Sequence, residues 1–182
     1  MSLIVALLNA YTPRPLRQRK LEALFVATAE AFGCEPPALA GLSYDDCLHA
    51  YATFTREQAE AAIRTGQDLA AIDDRLYHAA YLLGRDLRRL LRVKSMDDVM
   101  AAARVLYRGI GIDFRGTPDG AVTIRRCYFS DYYSSQVCQV VSALDSGLLA
   151  GLAGDGRLVF TRRITDGFDH CAACFSRTPC PP

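Results

Sequence analysis

The sequence predicts an α+β domain: N-terminal helices followed by hairpin, helix and hairpin, the strands forming an antiparallel sheet packed on the helices. Three observations carry this reading. Apolar residues recur at steps of three and four up to about residue 108, and at Gly109 the pattern changes to glycine turns and period-two alternation. Beyond that point two pairs of strand-like runs are each joined by five residues of turn composition, 116–120 and 165–169.

In chain order, Pro13 and Pro15 interrupt any helix, and a new one is expected over 16–32, where Leu21, Leu24, Phe25, Thr28 and Phe32 share a face and Gly33 suits a C-cap. Glu35-Pro36-Pro37 forces a loop. Ser43 with Asp46, and Thr55 with Gln58, both have the spacing of a capping box. The second opens a long helical stretch whose stripe is Leu69, Ile72, Leu76, Ala79 or Ala80, Leu83, Leu87 and Leu90, interrupted near Gly66. Ser95 with Asp98 starts a further helix that ends at 107–109. Strands follow at 110–115 and 122–127, then one helix over 131–152 capped by Ser130, then strands at 157–164 and 170–176.

With 182 residues, 51% of them hydrophobic and 23% charged, the chain has the length and composition of a folded globule; a single domain over 1–176 and a flexible tail over 177–182 are expected. Basic and acidic residues number 21 and 20, and the one arginine-rich stretch, 85–92, alternates with leucines at helical spacing, so a solvated helix face is expected there and no nucleic-acid partner. The apolar run 3–8 is too short to span a membrane and lacks the positive flank of a secretory signal, which predicts a cytoplasmic protein with no membrane partner. Seven cysteines in such a compartment are expected to be mostly free thiols.

Phosphate loops, serine elbows and paired-histidine zinc helices are absent from the sequence, so chemistry is sought in the last third of the chain. Cys138, Ser142 and Asp145 are spaced i, i+4 and i+7 and share a face if helical; an aspartate there could orient water and a cysteine of depressed pKa could be a nucleophile. The alternative is that Cys138 is a small buried hydrophobe and Asp145 an exposed helix residue. Cys171 and Cys174 have a zinc-ligand spacing, but side chains three apart on a strand point to opposite faces. Cys127, Cys138, Cys171 and Asp145 could together hold a divalent metal, or the thiols could pack the interface between helix and sheet. His170 is a candidate general base beside Asp169, while His49 and His78 read as surface or satisfied residues. Arg126 and Arg162 are the candidate partners for a substrate carboxylate, and Tyr128, Tyr132 and Tyr133 are placed to line the same pocket or to pack the core.

The ordered set Arg126-Cys127, Cys138, Asp145, Arg162, Gly167, Asp169, Cys171 and Phe175 resembles the pattern of the L-2-amino-thiazoline-4-carboxylate hydrolase family of bacterial proteins. That resemblance implies hydrolytic C–N bond opening of a small cyclic amidine or thiazoline carboxylate. Cys127, Cys138, Asp145, Cys171 and His170 would be the catalytic set, and Arg126, Arg162, Tyr132 and Ser142 would bind the substrate. The order of elements is also similar to that of vinyl-reductase-type small-molecule-binding domains, which implies a non-catalytic module holding a small ligand or a metal through the same cysteines. A homodimer is the candidate assembly under either reading.

Overall fold

A computed structural model of the chain describes residues 13–177. The apolar run at 3–8 and the tail beyond 177, with Cys180, lie outside the described residues. The fold is α+β: among the described residues four helices precede a four-stranded antiparallel sheet.

Helix α1 (Arg14–Phe32) starts two residues earlier than expected: Pro13 is its N-cap and Pro15 sits in its first turn, where the missing N–H costs nothing. Gly33 ends it at φ 78°. Helix α2 (Tyr44–Arg64) is capped by Ser43, which accepts from the Asp46 N–H. It runs unbroken through Thr55, which caps nothing: buried, its hydroxyl bonds back to the carbonyls of Tyr51 and Ala52. The long helix α3 (Leu69–Leu91) starts instead at Asp68, whose carboxylate accepts from the N–H groups of Ala70 and Ala71. Helix α4 (Met96–Gly109) carries the full Ser95–Asp98 capping box.

Strands β1 (Ile112–Gly116) and β2 (Ala121–Cys127) form the first hairpin. The single helix expected over 131–152 is in fact three pieces: a 3-10 turn at Tyr128–Asp131, helix α5 (Ser135–Val141) capped by Ser134, and helix α6 (Ala143–Ala153). Four consecutive polar or aromatic residues, 132–135, supply a second N-cap in place of a continuous apolar stripe. Strands β3 (Arg157–Arg162) and β4 (Cys171–Ser176) form the second hairpin, and β4 inserts beside β2 to give the order β1-β2-β4-β3. One face of the sheet is buried through Ile112, Phe114, Val122, Ile124, Leu158, Cys171, Ala173 and Phe175, alternating with exposed or half-buried neighbours. Cys174 faces away from Cys171, as expected of a strand, and it is disulfide-bonded, which corrects the expectation of free thiols at that position. Arg177 donates to the Ala153 carbonyl at 2.7 Å, so the expected tail is tied down at its first residue.

The most extensive helix packing is α6 on α3, and it is a close crossing. A Cβ on Gly147 would lie 2.1 Å from the Tyr77 carbonyl oxygen, one on Gly151 2.2 Å from that of Tyr81, and one on Gly84 2.4 Å from that of Leu148. Only glycine lets the two backbones touch. The same helices are tied to the turn before β3, because Tyr77 and Tyr81 donate to the carbonyls of Gly156 and Gly154, and the Leu158 N–H donates to buried Ser146. The apolar run Ser135–Ala153 has a mean hydropathy of 1.3, enough by composition to cross a membrane, yet 67% of it is buried in this packing. That burial is the place of a core helix. Gly151→Ala and Gly147→Ala are each expected to lower stability by about 2–3 kcal/mol, because backbone cannot give way as a side chain does. Urea unfolding checks this, with Gly109→Ala, where a Cβ meets nothing, as the mild control.

Candidate functional site

Beside the α3–α6 crossing, α6 presents Asp145 to the space between α4, the 3-10 turn after β2, and the end of β3. A cavity of about 110 Å³ lies there, walled by Tyr51, Leu83, Tyr107, Ile112, Phe129 and Leu148 among others. Tyr133, one of the three expected lining tyrosines, is on its wall, and the cavity brings together five of the residues singled out by sequence for chemistry or substrate contact: Cys127, Cys138, Ser142, Asp145 and Cys171. They come from the end of β2, from α5, from the α5–α6 junction, from α6 and from the start of β4.

Asp145 is the group on which the site turns. The residue keeps some accessible surface, but its carboxyl is surrounded by protein, so that surface faces the cavity and the exposed-helix alternative does not apply. The Tyr107 hydroxyl donates to Oδ1 at 2.7 Å. Burial raises the Asp145 pKa to about 6, and the hydrogen bond from Tyr107 and the charge of Arg163 offset only part of that. Tyr107 is itself held well above its ordinary value by burial and by Asp145, so it stays a donor, and its ring stacks on Phe114 at 4.8 Å.

The thiols are in the opposite state to that of nucleophiles. Burial pushes Cys127 up to about 12, and burial also raises Cys138 and Cys171, with the Asp145 charge adding to each. The Cys171 sulfur accepts from the Ile164 N–H at 3.4 Å. Above the thiols, Arg163 donates to the Ser142 hydroxyl at 3.3 Å and lies 4.8 Å from the Phe160 ring centroid, but its buried Nε has no hydrogen-bond partner. Neither has the buried Thr165 hydroxyl at the cavity wall, whose neighbour is the weakly bonding Cys138 thiol. Among the described residues no three of His, Cys, Asp and Glu are grouped so as to hold a metal ion, which removes the mixed thiolate–carboxylate centre expected from Cys127, Cys138, Cys171 and Asp145.

Four expected site residues lie elsewhere. His170 bonds Asp169 at the surface, Nδ1 to Oδ1 at 2.5 Å; it precedes β4, where the bend lets adjacent side chains meet. Arg162 lies 5.6 Å from the Phe168 ring centroid and is exposed. Arg126 lines a separate surface pocket. The Tyr132 hydroxyl pairs with His49 Nδ1 and the Tyr128 hydroxyl, both at 3.0 Å, outside the cavity. In one case a neighbour stands nearer the acid, and in another an expected residue is found in place. Arg163, just beyond the irregularity of β3 between Phe160 and Arg162, bonds Ser142 and places its charge near Asp145, and of the three tyrosines Tyr128, Tyr132 and Tyr133 it is Tyr133 that lines the cavity. Tyr133, raised well above its ordinary value by burial, pairs with Thr55, and Tyr51 pairs with Thr28 at 3.1 Å. Tyr107 and Thr165 had no sequence signal beyond their positions at element ends.

An interior acid of raised pKa costs stability when ionised. The folded state holds a proton on Asp145 between the unfolded value near 3.8 and about 6, so its contribution is full below pH 3.8 and lost as pH rises through 6. Above that, the ionised group costs about 2–3 kcal/mol. Asp145→Asn keeps an acceptor for Tyr107 and is expected to be about 2 kcal/mol more stable than the parent at pH 7 and equal to it below pH 4, read from paired urea unfolding across pH.

No protein-family model matches the chain, and no curated protein matches it. Among solved structures it is similar to an H-NOX protein from S. oneidensis in the Fe(II)NO ligation state, with 15% identity over 97% of this chain and 98% of that one and a TM-score of 0.38. At that TM-score the two backbones differ too much for the likeness to bear on fold or function.

Proposed function

We propose that the protein is a small-molecule-binding module that takes a largely apolar ligand into its interior and orients it by a hydrogen-bond donor aimed at Asp145. The observation that carries this reading is the pairing of a costly interior carboxyl with adjoining apolar space. A groove of about 320 Å³ between α1, α3 and α4 shares Leu24, Leu83, Tyr107, Ile110 and Leu148 with the inner cavity. The inner cavity alone suits only a head group, while the two together approach the size of ordinary ligand sites. The groove is leucine-rich, with Arg17 and Lys20 along it. An apolar body would lie against the leucines, and an N–H or O–H at its end would meet the Asp145 carboxyl.

Hydrolysis of a thiazoline carboxylate receives less support. A cysteine nucleophile needs a depressed pKa or a base, whereas all three cavity thiols are raised and no histidine lines the space. One feature does favour it: an acid titrating near 6 lies in the range of general acid–base catalysis. Turnover is therefore the competing outcome of the test.

The test uses N-phenyl-1-naphthylamine, an apolar fluorophore with one N–H donor. One-to-one saturable fluorescence enhancement is expected, abolished in Leu83→Trp, which fills the shared passage, and weakened about tenfold in Asp145→Leu, the size of one charge-assisted hydrogen bond. The same preparation is assayed with 2-aminothiazoline-4-carboxylate. Absence of fluorophore binding, together with ring opening that Asp145→Asn abolishes, would replace the binding reading with the hydrolase.

A further inference from the structure

The inner cavity is unevenly supplied with hydrogen-bonding groups. Among the described residues Asp145 is the sole charged side chain in its lining, which holds no lysine, arginine or histidine. Arg163 stands outside that lining, bonded to Ser142 and set over the Phe160 ring. Its charge offsets less of the burial of Asp145 than the Tyr107 hydrogen bond does. The carboxylate therefore has no counter-charge inside the cavity. Tyr107 takes Oδ1, and no other hydrogen bond reaches this carboxyl among the described residues, which leaves Oδ2 as an open acceptor.

The hydroxyl protons around it are already committed. Thr28 spends its own on the Leu24 carbonyl at 2.7 Å, so in the 3.1 Å pair between Thr28 and Tyr51 the tyrosine must donate. Thr55 likewise spends its proton on the Tyr51 carbonyl at 2.8 Å, which makes Tyr133 the donor to Thr55. Tyr107 donates to Asp145, Ser130 to the Cys127 carbonyl and Ser142 to the Gln139 carbonyl. The Thr165 oxygen is covered by protein beside the Cys138 thiol. What the wall can still offer is acceptor capacity: Asp145 Oδ2 and the remaining lone pairs of three phenols, whose hydroxyls all feel the Asp145 charge. The protonated thiols are weak donors. Four aromatic rings, those of Tyr51, Tyr107, Phe129 and Tyr133, line the same space, and their quadrupoles favour a cation.

We propose that the head group taken by this cavity is a primary ammonium, carried at the end of an apolar chain. The inference rests on the interior-ligand reading above and gives that ligand its chemical class. An ammonium has three donors, no acceptor and a positive charge, which complements a wall of acceptors around one carboxylate. Its desolvation is offset only where counter-charge and acceptors are both present, as they are here. A carboxylate or phosphate head would meet Asp145 as a like charge and find no strong donor. An alcohol or amide would fill Oδ2 but leave the charge uncompensated. The outer groove has the opposite character: Arg17 and Lys20 against Asp86 give it a net positive lining, so the cationic end is directed inwards and the chain lies along the leucines.

The probes are octan-1-amine, octan-1-ol and octanoate, equal in chain length and different in head; the amine is a cation at neutral pH, as a lysine side chain is. Each is titrated calorimetrically into the full chain and scored by displacement of N-phenyl-1-naphthylamine. The amine is expected to fill one saturable site about tenfold more tightly than the alcohol, with octanoate weaker than both. Asp145→Asn, which keeps an acceptor for Tyr107, should erase the advantage of the amine and leave the alcohol little changed. Thermal unfolding no lower than that of the parent verifies that this variant is folded. Saturable amine uptake that Asp145→Asn weakens supports the ammonium head whether or not the fluorophore binds. Alcohol or octanoate binding as tight as that of the amine, or an amine advantage that survives Asp145→Asn, would overturn the ammonium head and leave the binding module standing. No saturable uptake of the fluorophore or of any probe would overturn both.

Discussion

The close backbone crossing of α3 and α6 is the constraint on which the rest of the molecule depends. With glycine at 84, 147 and 151, the carbonyls of Tyr77, Tyr81 and Leu148 sit where ordinary side chains would stand, and α6 is locked in rotation and height against the longest helix. That lock sends Ser146 to the amide of Leu158 and so fixes β3. It also turns Asp145 away from solvent, towards Tyr107 of α4. Were the helices a few ångströms apart, as with alanine, Asp145 would have room to turn towards water, and the cavity would have no acid in it.

Viewed energetically, that placement is a loss. An ionised carboxyl in this setting, with one hydrogen bond and a partly compensating Arg163, lowers stability at neutral pH, and two more buried polar atoms nearby, Arg163 Nε and Thr165 Oγ1, lack partners. Local choices elsewhere agree with the fold: capped helices, alternating strands and a glycine at nearly every sharp turn. Buried Nε atoms without partners also occur at Arg17 and Arg56, so it is the interior carboxyl, with Arg163 beside it, that marks this cavity as the place where function is expected to have overridden stability. The thiols do not share that strain, since each protonated sulfur behaves as a small apolar group in the wall.

Much of this was legible in the sequence, for definite reasons. The Ser43 and Ser95 caps are read from short local spacings that need no tertiary partner, and the two hairpins from glycine turns between alternating runs. Thr55 misled because a Thr-x-x-Gln spacing looks the same whether the hydroxyl caps a new helix or bonds back within an old one, and only the neighbouring Tyr133 decides. Cys127, Cys138, Ser142, Asp145 and Cys171 do meet in one cavity, as their order suggested. Their ionisation did not follow, because a pKa depends on what surrounds the group rather than on its spacing. That Arg163 rather than Arg162 stands near Asp145, and that only Tyr133 of the three expected tyrosines lines the cavity, have one origin: side-chain direction at an element end depends on a bulge or turn that periodicity averages over. The glycine pair 147 and 151 was visible but silent, since four-residue glycine spacing means close approach only once the facing helix is known.

The central claim is that Asp145 is an interior acid held in a cavity by Tyr107. The most direct measurement is a carbon-13 NMR titration of the Asp145 side-chain carboxyl in the intact protein, with Tyr107→Phe as comparison. The account predicts a midpoint near 6 that moves higher when the stabilising hydroxyl is removed. A midpoint at or below about 4, the value of an exposed aspartate, with no response to Tyr107→Phe, would contradict it.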